Sequence, residues 1–289
     1  MPDLEGYLKI WGAAQSGAVA ASRLFEQMSP RARERAEELC PGLAGVLVGA
    51  FPYYAGEREG NLSLYSRGED YHIAVKRLLA EAGAALRREY PRSRFVPLVD
   101  ASPLPEVRAA ELAGIGLVGE HGLIICPPYG SYVFLGCILT DLPLETPGRK
   151  SPPCIRCGRC AEACPSGALR WRDGAAVFDS ALCLSGVSQR KGALTPEEER
   201  RLKTLPTVWG CDLCQNACPY NASPAVTAID ALAGRTETAP YLADLQREAL
   251  EGLPEKAFRE KYRNRAFSWH GKSPLIRNLG LHKEWEHKA

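Results

Sequence analysis

Four short apolar runs mark the first half of the chain: GVLVGAF (45–51), RFVPLVD (94–100), GLIIC (122–126) and YVFLGCILT (132–140). Each is nearly continuous, the pattern of a strand buried on both faces. Between the first two the period changes to that of a helix. From Asp70 to Tyr90, residues Tyr71, Val75, Leu78, Leu79, Ala82 and Leu86 share one face, and Pro91 ends the run. A shorter helix is predicted to open at Pro105 and run through Leu112 to Gly114. Residues 1–40 read as helical, with Leu4, Tyr7, Leu8 and Trp11 at helical spacing before Pro41-Gly42. Strands alternating with helices predict an α/β layer of about 145 residues.

The pattern changes past the Pro/Gly-rich joint TPGRKSPP (146–153). Residues 183–205 read as a loop and then a charged helix, capped by Thr195 with Pro196 at its first position. Residues 224–261 read as helical packing, and the end is basic with Phe267, Trp269 and Trp285 interleaved. The predicted division is 1–148, 149–222 and 223–289.

Cysteines dominate the middle segment. Cys154, Cys157, Cys160 and Cys164 stand at the x2, x2, x3 spacing followed by Pro165, as in bacterial two-cluster ferredoxins, where the fourth cysteine crosses to the other cubane. Cys211, Cys214 and Cys218, followed by Pro219, repeat the pattern with its first cysteine missing, and Cys183 is the nearest upstream thiol to fill the gap. Two [4Fe–4S] clusters then close without remainder: Cys154, Cys157, Cys160 and Cys218 for one, Cys164, Cys183, Cys211 and Cys214 for the other. A zinc site would need four ligands in two pairs, fewer than stand here. Cys40, Cys126 and Cys137 are left over in apolar surroundings and read as small core residues.

Composition narrows the choice of partner and compartment. The 289 residues are 45% hydrophobic and 24% charged, with a formal charge of +2. No global basic field advertises nucleic acid, so any such contact must be a local patch. No apolar run reaches the length of a membrane span, and the start lacks the basic and apolar regions of an export signal. The expectation is a cytoplasmic protein, monomeric, with no membrane contact.

Asp100 closes the run FVPLV at a strand's carboxyl end, where α/β folds place their ligands. Partial desolvation there would raise its pKa and let it hold a proton near neutrality. The competing role is capping the helix that follows.

Several stretches, in order, resemble one family, the epoxyqueuosine reductases: RGEDYH (67–72), VDASP (99–103), ELAGIGLVGEHGLI (111–124), PPYGSYVFLGCILTDLPLE (127–145), both cysteine runs, CLSGVSQRKG (183–192), WGCDLCQNACPYN (209–221) and WHGKSPLIRN (269–278). The resemblance runs from about residue 33 to 280. It implies a reductive-dehalogenase-like, cobalamin-binding α/β domain over 1–148, a double [4Fe–4S] ferredoxin-like domain over 149–222 and a short helical C-terminal segment over 223–289. It also implies a short member, without the helical-repeat domain that usually follows.

The implied activity is that of an oxidoreductase in queuosine biosynthesis, reducing epoxyqueuosine to queuosine in tRNA. Electrons would come from an external flavodoxin or ferredoxin, and the anticodon stem-loop would be the nucleic-acid partner. Asp100 matches the family's proton donor. Arg33, Ser63, His72, Leu135, Ser185 and Gln189 match positions near the cofactor. No Asp-x-His-x-x-Gly motif occurs, so the resemblance implies a base-off cobalamin. Two other classes compete: a related cobalamin-dependent reductase with another substrate, and a ferredoxin-type carrier without catalysis.

Three positions depart from the family. Glu120 and His121 stand where it carries Lys-Asn, and Val107 stands where it carries arginine, with Arg108 one place along. One residue turns a helical side chain by about 100°, so Arg108 need not substitute.

Overall fold

Contacts divide the chain into two compact units. The first comprises Met1–Tyr53, Tyr71–Ile155 and Pro224–Ile229; the second comprises Tyr54–Asp70, Arg156–Ser223 and Asp230–Ala289. The structure, a computed structural model, describes residues 4–100, 102–146 and 153–282. Most of the 146–153 joint and Trp285 lie outside the described residues.

The first unit is built on an antiparallel sheet of order β1–β2–β6–β3, formed by Gln15–Ala20, Gly45–Pro52, Val133–Thr140 and Phe95–Leu98. The runs at 45–51, 94–100 and 132–140 supply three of its strands, and all eight residues of β2 are buried. The expected helix over 1–40 is wrong in its middle. Leu4–Ile10 (α1) is followed by strand β1, then by Ala21–Phe25 (α2) and Pro30–Leu39 (α3). Strand β1 escapes sequence patterns because it is buried through four consecutive small or branched residues, so neither period shows. GLIIC gives only Ile124–Ile125 (β5), paired with Leu117–Val118 (β4) outside the main sheet. The turn between them closes as Gly119 N–H donates to Leu123 O at 2.9 Å.

Helices cover both faces of that sheet. Residues Val46, Val48, Cys137 and Leu139 face a core shared with Leu24, Ala36 and the helix Glu106–Leu112 (α5) through Ala109 and Ala110. On the opposite face, Tyr71–Glu89 (α4) lies over β6. A Cβ at Gly136 would stand 2.7 Å from Leu79 Cδ1, so glycine there sets how closely helix and sheet approach.

The second unit has little regular structure. Its helices are Arg159–Glu162 (α6), Leu184–Gln189 (α7), Pro196–Leu202 (α8), Leu213–Asn216 (α9), Arg247–Glu251 (α10), Glu255–Lys261 (α11) and Ser273–Leu281 (α12). The capping box predicted at Thr195 is present, with Glu198 returning to the Thr195 backbone. Helix α7 occupies part of the segment expected to be a loop.

Unpredicted, Leu169–Arg172 (β7) and Ala175–Phe178 (β8) form a hairpin. Its two-residue turn, Asp173-Gly174, takes φ values of 51° and 78°, the backbone that matches strand twist. Helical packing over 224–261 holds only from α10 onward. Before it, Arg235–Thr236 (β9) and Ala239–Pro240 (β10) make a small hairpin, because turns such as Tyr241 N–H to Gly234 O at 2.7 Å satisfy the backbone locally. Buried Arg67 ties down the 54–70 loop by donating to Leu62 O, Glu59 O, Arg58 O and the Tyr241 hydroxyl. The main core here gathers Leu62, Val208, Trp209, Phe258, Phe267 and Leu275.

Candidate active site and cluster ligands

Asp100 lies two residues past β3 with φ +50°, a left-handed backbone that aspartate tolerates better than most residues. The Tyr71 hydroxyl donates to Asp100 Oδ2 at 2.5 Å, and His72 Nε2 stands 3.4 Å from the same oxygen. Both partners come from the first turn of α4, whose apolar face packs on β3 and β6 and so fixes their height above the sheet. Tyr71 stacks on Phe134 of β6 with ring centroids 4.3 Å apart and Tyr53 lies against the same ring at 4.6 Å, leaving the Tyr71 phenol little freedom. The carboxylate is held between a phenol and an imidazole.

Two expectations about Asp100 need correction. Its side chain is 56% exposed, so the expected desolvation of this carboxyl is not present. Nor does it cap α5: that helix begins at Glu106 after Pro105, with no side-chain cap.

The desolvated carboxyl is instead Glu106. Burial pushes it up to about 7 and the Asp100 charge adds to this, while the Ser102 hydroxyl, 2.8 Å from Oε1, opposes the rise. Sequence reasoning passed over it, because a glutamate after proline at a helix start reads as a solvated N-terminal charge. The packing of α5 on β6 buries it, where its charge is felt by the Cys137 thiol.

The other predicted positions divide. On the first unit, Val133, Phe134 and Leu135 form the half-buried start of β6, before the strand becomes fully buried. The antiparallel pairing of Leu98 with Cys137 carries position 100 level with Leu135. Val133 and Leu135 share one face there and form an apolar strip level with the acid, while Phe134 points to the opposite face under Tyr71. Such a strip fits one face of a corrinoid ring. Arg33 is exposed, its Nε donating to Met28 O at 3.1 Å. Arg108 does not restore the family's arginine: it bonds Gln27 Oε1 at 3.1 Å and pairs with Glu111. Buried His121 is pushed down to about 4 by desolvation, and its Nδ1 accepts from Leu123 N–H, which makes this departure a neutral loop lock.

On the second unit, Ser63 is fully buried with its hydroxyl 3.4 Å from that of Ser66, so it has no exposed surface for a ligand. Gln189 Nε2 donates to Tyr65 Oη at 3.2 Å and to Ser185 O at 3.0 Å, which orients both residues.

The structure brings Cys164, Cys183, Cys211 and Cys214 together. Burial pushes Cys211 up to about 12 and Cys214 well above its ordinary range, and in each case the charges of Cys183 and Cys164 add to the effect. Cys164 goes the other way: burial alone would raise it, but hydrogen bonds from Leu169, Ser166 and Ala168 outweigh burial and lower it. The Leu169 N–H reaches Sγ at 3.4 Å, the kind of contact that stabilises a thiolate and tunes a cluster. Of the other four, Cys160 and Cys218 are buried, Cys154 is partly so and Cys157 is exposed. Cys40, Cys126 and Cys137 are buried, and desolvation pushes the Cys126 thiol up to about 12.

Two sets of four cysteines at ferredoxin spacing, together with an α/β unit that presents an acid level with an apolar strip, define a redox protein of the cubane-wired class. Residues 153–221 match the 4Fe–4S double cluster binding domain, and residues 33–101 match the family model described as epoxyqueuosine reductase QueG, DUF1730. The epoxyqueuosine reductase of Bacillus cereus is 32% identical over 267 residues, 89% of this chain and 68% of that protein. Those of Lactococcus garvieae and Listeria monocytogenes are 34% and 35% identical over 77% of the chain. The chain belongs to the epoxyqueuosine reductase family. It spans 61% and 56% of the length of the last two relatives. The solved epoxyqueuosine reductase of Streptococcus thermophilus superposes with a TM-score of 0.79 at 26% identity, over 96% of this chain and 79% of that one. A structure described as epoxyqueuosine reductase with an epoxyqueuosine-modified tRNA-Tyr stem loop gives 0.80 at 28%, over 96% and 79%.

Proposed function

We propose that this chain is a cobalamin- and iron–sulfur-dependent reductase that converts epoxyqueuosine to queuosine at the tRNA wobble position. The observation that carries the proposal is the Asp100 carboxylate held by Tyr71 and His72 beside the open strip at Leu135. Bound there, a cobalamin would supply the low-valent metal that reduces the substrate. Asp100 then delivers the proton that the departing epoxide oxygen needs. Tyr71 and His72 orient the carboxyl and can return a proton to it. Val133 and Leu135 offer the ring an apolar face and exclude water from it. Cys154, Cys157, Cys160 and Cys218 would hold one cubane, with Cys164, Cys183, Cys211 and Cys214 holding the other. The working protein is taken as a cytoplasmic monomer that receives electrons from a flavodoxin or ferredoxin. Among the described residues no helix is long and apolar enough to cross a membrane.

The test is an anaerobic assay with epoxyqueuosine-containing tRNA, cobalamin and a strong reductant. Wild type should form queuosine, and Asp100→Asn should lower the rate by about 10²- to 10⁴-fold, the usual worth of a positioned acid. Equal rates would remove Asp100 as the donor. A second reading, a related reductase with another substrate, rests on Val107 and on Arg108 being engaged elsewhere. Bound cobalamin without product from wild type would select it.

A further inference from the structure

We propose that the β7–β8 hairpin and the hollow at its base form the docking face for an acidic one-electron carrier. This rests on the cluster assignment above and adds where its electrons come in. The hollow, about 560 Å³, is lined by Arg156, Cys157, Glu162, Cys164, Arg170 and Trp171, so it borders one predicted ligand residue of each cubane. Cys157 is exposed, which places one predicted cluster ligand at the surface.

The surface around it is basic and aromatic. Arg156, Arg159, Arg170 and Arg172 are all exposed, against Glu162 and Asp173. Trp171 and Phe178 are 43% and 55% exposed, large apolar surfaces that a monomer has no folding reason to leave in water. The register places Leu169, Trp171 and Phe178 on one face of the hairpin and Arg170, Arg172 and Val177 on the other, so the partner straddles the hairpin and meets its aromatic side with one surface and its basic side with another. Arg156 braces the arm, with its guanidinium over the Trp171 ring at 5.9 Å and a hydrogen bond to Gly174 O.

Trp and Arg are the residues that concentrate binding energy at interfaces, and opposite charge steers encounter. Redox partners meet through small, transient patches, and a hairpin with a hollow of this size suits one. The charge selects an acidic partner such as a flavodoxin or an acidic ferredoxin. In the step itself one electron leaves the reduced carrier and enters the cubane. The carrier is oxidised by one electron, and no bond forms or breaks.

Stopped-flow bleaching of the iron–sulfur absorbance in the reconstituted protein tests this, with a reduced acidic flavodoxin as donor and dithionite as a small-molecule control. The flavodoxin rate for wild type should fall steeply as salt rises from about 50 to 500 mM, because exposed charges are screened at the higher value. Arg170→Glu/Arg172→Glu should lower that rate at least tenfold at low salt, and Trp171→Ala should lower it without flattening the salt dependence. Dithionite bleaching should be unchanged in both. A flavodoxin rate indifferent to salt in wild type, or equal in the charge-reversed variant, would overturn the docking face. If wild type shows no cubane absorbance, the cluster assignment fails, a result distinct from either of these.

Discussion

Glu106 shows how a single side chain acquires a role from its neighbours. Its carboxyl is raised to about 7 from an ordinary 4.5, chiefly by burial. Between those values the folded protein holds a proton that the unfolded chain releases. The protonated carboxyl therefore favours folding most fully below about 4.5, and this contribution is lost as pH rises through 7. The difference amounts to roughly 3 kcal/mol at most. Urea unfolding of Glu106→Gln should show a stability that no longer declines over that window; an unchanged pH profile would place the titration elsewhere. Because the Asp100 charge is felt at Glu106, the same variant should also shift the pH profile of turnover.

Contrasting demands meet at Cys164 and Cys214. Hydrogen bonds favour the thiolate at the first, while burial opposes it at the second. A buried thiolate of the second kind is stable only beside a cation, so iron must arrive as protons leave. Cys214→Ser should cost one cluster, lowering iron from about eight to about four atoms per chain by elemental analysis. Retention of all iron would displace Cys214 from the ligand set.

Elements depend on close approaches that only glycine permits. A Cβ at Gly17 in β1 would lie 2.3 Å from the Ala113 carbonyl oxygen at the end of α5, and backbone cannot yield as a side chain tip can. Gly17→Val should destabilise the protein by about 1–3 kcal/mol, read as a drop in Tm. By contrast, Thr195→Ala removes one half of a capping box on exposed α8 and should cost only about 1 kcal/mol. Equal losses would mean that β1 is not pinned by α5. The same elements show what patterns convey. Strand β6 was visible as a nearly unbroken apolar run of eight residues, and helix α4 because its apolar positions keep one period over nineteen. Strand β1 was not, since a strand buried on both faces by small residues has no polar positions to mark it. The β7–β8 hairpin carried a signal in Asp173-Gly174 that the neighbouring cysteine spacing overshadowed.

At the scale of the whole molecule the two units differ in what holds them together. The first has a four-stranded sheet with apolar packing on both faces. The second relies on short helices, two of them only four residues long, and on buried polar ties such as Arg67 and Asn278. Removing iron with a chelator should therefore loosen the second unit first. Amide exchange should rise in α6, α7 and α9 while β2 and β6 stay protected. Uniform loss of protection would instead make the metal a global fastener.

The cysteine spacing determined the cluster chemistry from the sequence alone, because a cubane requires its thiols in a local order that no packing can supply later. The main helices were likewise written in the period of their apolar residues, and three sheet strands in nearly unbroken apolar runs. Which carboxyl is desolvated, which arginine is committed elsewhere and which candidate serine is sealed from ligands were decided by tertiary structure. Those properties depend on distances between segments far apart in the chain: Glu106 is raised by burial where α5 packs on β6, Arg108 is held by Gln27, and Ser63 is buried under the core around Trp209. Sequence carries the identity of a titratable group, while its dielectric surroundings exist only once the chain has folded around it.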